Sequence, residues 1–150
     1  MKYRPDIDGL RAIAVTVVIL FHAGLGFQGG FVGVDVFFVI SGFLITGVIK
    51  NGLDRGDFTF RGFWHRRIKR ILPASTLVVV FTLATGWFIL LPLDLKDLAE
   101  SAIAQQVMGS NGYFWIKTDY FDGPSDLKPL LHTWSLAVEE QFYFVFPFLL

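Results

Sequence analysis

The sequence predicts an all-α, polytopic membrane helix bundle, and three observations carry that prediction. Of its 150 residues, 53% are hydrophobic and only 17% are charged, too few charges to coat a water-facing surface. Mean hydropathy is +0.55. The apolar residues gather in four long stretches, and a helix needs roughly 20 such residues to cross a bilayer. The same composition excludes disordered and collagen-like classes. The absence of cysteine excludes a disulfide scaffold, a thiol nucleophile and a cysteine-ligated metal. With 13 basic and 13 acidic residues, no basic excess points to nucleic acid.

The first span is expected over 12–27, from Ala12 to Phe27. Its basic start (Lys2, Arg4, Arg11) would suit a signal peptide, but His22 interrupts the apolar core. No small-x-small cleavage site follows, and a second span comes at once, so a retained helix is expected. Gly24 to Gly30 forms a glycine-rich turn. The second span, 31–49, carries one charge, Asp35.

The segment from Lys50 to Arg70 is strongly basic. On a helix from Phe60, residues Phe60, Phe63, Trp64, Ile68 and Ile71 make one apolar stripe. Arg67 falls inside that stripe and Arg70 on its flank, while Lys69 points the other way. Arg67 and Arg70, three residues apart, can grip one anion together. Positive-inside anchoring explains Lys69 and Arg66, but not an arginine aimed into a packing face.

The third span, 71–92, holds no charge. An acidic segment then runs from Leu93 to Thr133, with turn signals at Ser110-Asn111-Gly112 and Asp122-Gly123-Pro124-Ser125. Within it, Leu95, Leu98, Ala99, Ala102, Ile103, Gln106 and Val107 recur at helical spacing. That predicts a helix near 94–108 lying on the membrane surface or on the bundle. The fourth span, 134–150, starts near Trp134 and is still apolar at Leu150. We therefore expect a piece of a longer protein; an amphipathic terminal helix is the alternative.

Lysine and arginine in the loops set the orientation. Lys2, Arg4 and Arg11 share a side with Lys50, Arg55, Arg61, Arg66, Arg67, Lys69 and Arg70. The other side holds only Lys96, Lys117 and Lys128. A cytoplasmic N-terminus is expected, with the 93–133 segment outside. The zero net charge is thus a cancellation: +6 on the cytoplasmic segments, −3 outside and −3 in the spans.

A charge within a span costs about 2.5–3.5 kcal/mol at mid-bilayer, so it needs a reason. His22, Asp35 and Glu139 lie five, four and five residues from the expected outer ends of their spans. At 1.5 Å per residue, all three fall roughly 6–8 Å below the outer boundary, which suggests one shared site. Hydration or capping near the interface is the alternative, strongest for Asp35, which could cap its own helix. Arg11 precedes His22 by eleven residues, so the two lie about 20° apart on one helix face and about 16 Å apart along it. That line suits an elongated anionic ligand; a positive-inside anchor plus an unrelated histidine is the other reading.

No G-x-S-x-G elbow, P-loop, H-E-x-x-H or G-x-G-x-x-G motif occurs, and no metal is called for. Ser41 and Gly42 suit close helix packing. His65 is expected at the surface among arginines. His132 is an interfacial residue or a gate to the outer site.

Several ordered blocks resemble the membrane-bound acyltransferase-3 family. They are Tyr3-Arg4-Pro5-Asp6-Ile7-Asp8-Gly9-Leu10-Arg11-Ala12-Ile13-Ala14 followed by His22; the run from Gly30 to Ile45; the Arg67-x-x-Arg70 pair; and His132 through Tyr143 (HTWSLAVEEQFY). The blocks extend over the whole chain and look most like the bacterial branch that O-acylates cell-surface polysaccharides. The resemblance implies a bundle of about ten helices, of which about four are here. It implies an acyl-CoA-dependent membrane O-acyltransferase that moves an acyl group, usually acetyl, to an extracytoplasmic hydroxyl.

By resemblance, Arg11 and His22 take the family's Arg-x10-His pattern, Arg67 and Arg70 its arginine pair, and Glu139 its glutamate. Arg11, Arg67 and Arg70 would then bind the phosphates of acyl-CoA. His22 would act as general base or acyl carrier, oriented by Glu139 or Asp35. The expected partners are acyl-CoA as donor substrate, a glycan or lipid-linked polysaccharide acceptor, the bilayer, and a fused or separate extracytoplasmic hydrolase-like domain. No permanently bound cofactor is expected. The expected location is the bacterial inner (plasma) membrane, and the 150-residue piece alone is expected to be inactive. A multi-helix transporter or exporter with an intramembrane histidine–carboxylate proton relay is the alternative.

Overall fold

The computed structural model describes residues 4–117 and 128–149. Among these the chain is all helical: α1 (Pro5–His22), α2 (Val32–Arg55), α3 (Phe60–Ile89), α4 (Pro92–Gln106), α5 (Ser110–Lys117) and α6 (Trp134–Val145), with short 3-10 turns at Leu131–Thr133 and Phe146–Phe148. The turn expected at Asp122–Ser125 lies outside the described residues. The helices form two compact units, one of α1 and α2 and one of α3 to α6.

α1 begins at Pro5, whose missing N–H costs nothing in a first turn. Asp6 and Asp8 lie in that turn, where the helix dipole favours negative charge. Arg4 lies 2.6 Å from Asp6, and this hydrogen-bonded ion pair holds the Asp6 carboxyl down at about 2. After His22 the chain reverses through Gly24 and Gly26, both with positive φ (68° and 86°). α2 then returns antiparallel to α1 in close contact, because Gly33 within it and Gly30 just before it carry no side chain. A Cβ on Gly33 would come within 2.5 Å of the Ala14 carbonyl and 2.7 Å of a Val18 methyl. One on Gly30 would collide with the Val17 carbonyl and Phe21. Small residues allowing backbones to approach are a principal means of packing helices where lipid removes the hydrophobic drive. α2 ends where Gly56 takes φ 70°, the left-handed cap that glycine adopts without strain.

α3 joins two segments that the sequence separates by charge. The basic run from Phe60 and the uncharged third stretch are one 30-residue helix, through Pro73, which offers no N–H to the Lys69 carbonyl. α4 runs back along its C-terminal half. Leu98 fits over Gly86, where a Cβ would meet its methyl at 2.6 Å, and Gln106 Oε1 lies 3.5 Å from Thr76 Oγ1. Val79, Leu98, Ala102, Phe114 and Leu130 form the buried core of this unit. The outer corner carries an ion-pair group: Lys117 Nζ lies 3.2 Å from Glu100 and 3.6 Å from Asp97. Its hydrogen bond holds the Glu100 carboxyl below the ordinary glutamate value.

Ser110-Asn111-Gly112 read as a turn, yet these residues open α5. The chain turns just before, at Met108 (φ 60°) and Gly109. The reason is tertiary. The buried Ser110 hydroxyl sits 2.9 Å from Gln105 Oε1 and 3.0 Å from the Thr133 carbonyl, tying α4, α5 and the start of α6 together. Asn111 and Gln141 add a reciprocal amide pair at 2.9 and 3.1 Å.

α2 and α3 are long and apolar enough to cross a bilayer. Most of each apolar window lies on the chain's surface, with Leu77, Phe81, Trp87 and Phe88 of α3 all at least 70% exposed. Water does not tolerate so large an apolar surface; lipid or further helices do. The chain is therefore part of an all-α membrane bundle. α6 spans 12 residues, about 18 Å, before a 3-10 turn at Pro147.

Candidate functional site

In the first unit, α1 carries both Arg11 and His22. Arg11 is half-buried, with Nη1 3.8 Å from Asp8 Oδ1 one turn earlier. His22 ends the helix, is exposed, and places Nδ1 2.8 Å from the Val18 carbonyl. A carbonyl can only accept, so Nδ1 carries the proton and the neutral ring's lone pair lies on Nε2. That is the tautomer a general base needs, and the helix backbone fixes it.

Asp35 is exposed in the first turn of α2, and no side chain caps that helix start. It therefore does not act as a cap; its charge there is favoured by the helix dipole instead. The close approaches of Gly33 to Ala14 and Val18, and of Gly30 to Val17 and Phe21, fix the register of the hairpin. Asp35 falls level with Ala14, roughly 12 Å along the axis from His22. The hairpin does not bring these two to one depth.

In the second unit, the N-terminal part of α3 packs antiparallel to α6 through an aromatic ladder. Phe60 stacks on Phe148 at 5.0 Å and Trp64 on Phe144 at 5.2 Å. The Trp64 indole donates to the Tyr143 carbonyl at 3.2 Å. That carbonyl would ordinarily take the N–H of residue 147, but Pro147 has none, so Trp64 supplies the missing donor. Trp64→Phe keeps the ring and removes the N–H. It is expected to destabilise the protein by about 1–2 kcal/mol, the cost of an unsatisfied buried acceptor, read as a lower unfolding midpoint in detergent. An unchanged midpoint would mean that water reaches the Tyr143 carbonyl.

One turn along each helix, the same register sets Arg67 opposite Glu139. Arg67 is half-buried, lies 5.9 Å over the Phe63 ring, and interacts electrostatically with Glu139 and Tyr143 as well as Arg70. Its Nε is buried and has no hydrogen-bond partner among the described residues. Arg70 is exposed. Glu139 is half-buried and accepts a hydrogen bond from the hydroxyl of Tyr143, one turn on and 8% exposed. Glu140 is the more buried carboxylate, at 9% exposure, and its Oε2 lacks a partner among the described residues.

Equal distances from expected span ends had put Glu139 near the outer boundary and Arg67 near the cytoplasmic one. The structure brings them together because α4 descends α3 first. Gln105, Ser110 and Thr133 then start α6 near the level of Thr76, partway along α3. Sequence reasoning also missed Tyr143; its i, i+4 spacing from Glu139 on one helix was the available signal. His65 and His132 are exposed, and Ser135 Oγ donates to the His132 carbonyl at 3.2 Å. Among the described residues, no group of three or more His, Asp or Glu side chains could hold a metal ion.

Comparison with known proteins assigns the chain to a family. The family described as "Acyltransferase domain" matches residues 4–150. The chain is 42% identical to the "Putative peptidoglycan O-acetyltransferase YrhL" of Bacillus subtilis (strain 168), covering 99% of this chain and 24% of that protein. It is also 42% identical to the "Peptidoglycan O-acetyltransferase OatA" of Listeria monocytogenes serovar 1/2a (strain ATCC BAA-679 / EGD-e), covering 97% of this chain and 24% of that protein. The chain thus spans about a quarter of the length of these relatives. No solved structure matches it.

Proposed function

Since the chain belongs to the acyltransferase-3 family, we propose that the protein containing it transfers an acetyl group from cytoplasmic acyl-CoA to a hydroxyl of a cell-surface glycan. The names of its relatives make peptidoglycan the first acceptor to try. The observation that carries the donor assignment is Arg67. It is a half-buried guanidinium with an unused N–H, beside a second arginine, at the basic end of α3. A polyanion such as coenzyme A satisfies that N–H and balances both charges by charge-assisted hydrogen bonds. The family's pattern also assigns a donor-binding role to Arg11 on α1.

His22 supplies the base. Nε2 takes the proton of the acceptor hydroxyl as its oxygen attacks the thioester carbonyl. The carbon–sulfur bond then breaks, the ester forms, and the imidazolium returns the proton to the departing coenzyme A thiolate. The basic ends of α1 and α3 face the cytoplasm, by the positive-inside rule, in a bacterial inner membrane. The remaining three quarters of the relatives' length leaves room for the rest of the bundle and for an extracytoplasmic hydrolase-like domain. The 150-residue chain alone is then inactive.

The test is acyl transfer by the full-length protein in membranes, supplied with radiolabelled acetyl-CoA and peptidoglycan. Label in base-labile esters on the glycan is the expected result. Substrate movement driven by a proton gradient, with no label in the glycan, would replace this reading with an exporter.

A further inference from the structure

Arg67 and Glu139 face each other across α3 and α6, which gives the anion site an internal competitor. Trp64 donating to the Tyr143 carbonyl fixes the register, and one turn further on each helix the guanidinium and the carboxylate lie within electrostatic reach of each other. Glu139 is simultaneously bound by the Tyr143 hydroxyl. The carboxylate therefore has two claimants: a cation on the neighbouring helix and a hydroxyl on its own.

We propose that Glu139 is the built-in counter-ion of the Arg67 anion site, and that Tyr143 holds its carboxylate so that the donor's phosphate can take its place on the guanidinium. The proposal deepens the donor assignment of Arg67 and rests on it. With the site empty, Glu139 lowers the cost of a half-buried guanidinium. With a phosphate bound, the same carboxylate repels it, so the position of Glu139 sets donor affinity. A hydrogen bond from Tyr143 draws carboxylate charge towards its own helix and relieves that repulsion. Tyr143 acts through Glu139 and is a positioning residue.

The experiment measures binding of coenzyme A itself to the purified full-length protein. Glu139→Gln keeps the shape and removes the charge; it is expected to tighten binding roughly three- to tenfold, the effect of deleting one nearby like charge. Tyr143→Phe is expected to weaken binding by a similar factor in the wild-type background and to have no effect when combined with Glu139→Gln. Mere structural damage would weaken binding in both backgrounds, and that result would overturn the assignment of Tyr143. Glu100→Gln is the charge control. Leu98 sits over Gly86 and α4 descends α3 from there, which puts Glu100 roughly 25 Å along α3 from Arg67, beyond the screening length of about 10 Å. Tightening by Glu100→Gln equal to that by Glu139→Gln would overturn the proposal, as would unchanged or weaker binding in Glu139→Gln. Arg67→Gln separates the two levels: if it leaves affinity unchanged, the donor assignment itself fails.

Discussion

Replacing His22 by alanine in the full-length protein is expected to lower acetyl transfer by roughly 100- to 10,000-fold, the usual loss when a positioned proton acceptor is removed. Affinity for coenzyme A should be unchanged, because the proposed mechanism assigns the phosphates to arginines and not to the imidazole. The side chain is exposed at the end of α1, where Nδ1 bonds the carbonyl of Val18 on its own helix. The substitution leaves no cavity, and the protein should fold and insert normally. Loss of turnover with intact donor binding is therefore a chemical effect. Normal acylation by His22→Ala would remove the histidine from the mechanism.

The second large effect is expected from Arg67→Glu. The substitution puts a carboxylate opposite Glu139 in the packing of α3 on α6, and it removes the unsatisfied N–H that a phosphate would take. Coenzyme A binding should fall by at least about 100-fold, since an attraction becomes a repulsion in a half-buried place. Two facing carboxylates also destabilise the helix contact. The double variant Arg67→Glu with Glu139→Gln removes that repulsion and should restore the unfolding midpoint, but not binding. If either variant binds coenzyme A like the wild type, Arg67 does not hold the donor.

The helices were legible where the residues themselves state the environment. Long apolar runs, the Gly24–Gly30 reversal and the stripe from Phe60 to Ile71 all report local chemistry, because a side chain's affinity for lipid or water does not depend on its distant neighbours. The placement of Arg67 among packing residues was legible for the same reason: helical periodicity fixes which side chains share a face. Ser110-Asn111-Gly112 was not legible. Its turn-forming residues open a helix because Gln105 and Thr133, neighbours only in the folded chain, claim the serine hydroxyl. Nor was the depth of Glu139, which counting from expected span ends placed too far from Arg67.

The amino-acid sequence by itself determined the class of fold, most of the candidate residues, and the separation of basic from acidic segments. These follow from solvation and from helical period, which act along the chain. Only the tertiary structure decided which of those residues meet. Gly86 lets α4 descend α3, and Ser110 fixes where α6 begins. Pro147 leaves a carbonyl for Trp64, and that hydrogen bond sets the register that places Glu139 and Tyr143 beside Arg67. That last contact joins residues 79 apart in the chain, and it depends on the shape of helix packing, which no local pattern encodes.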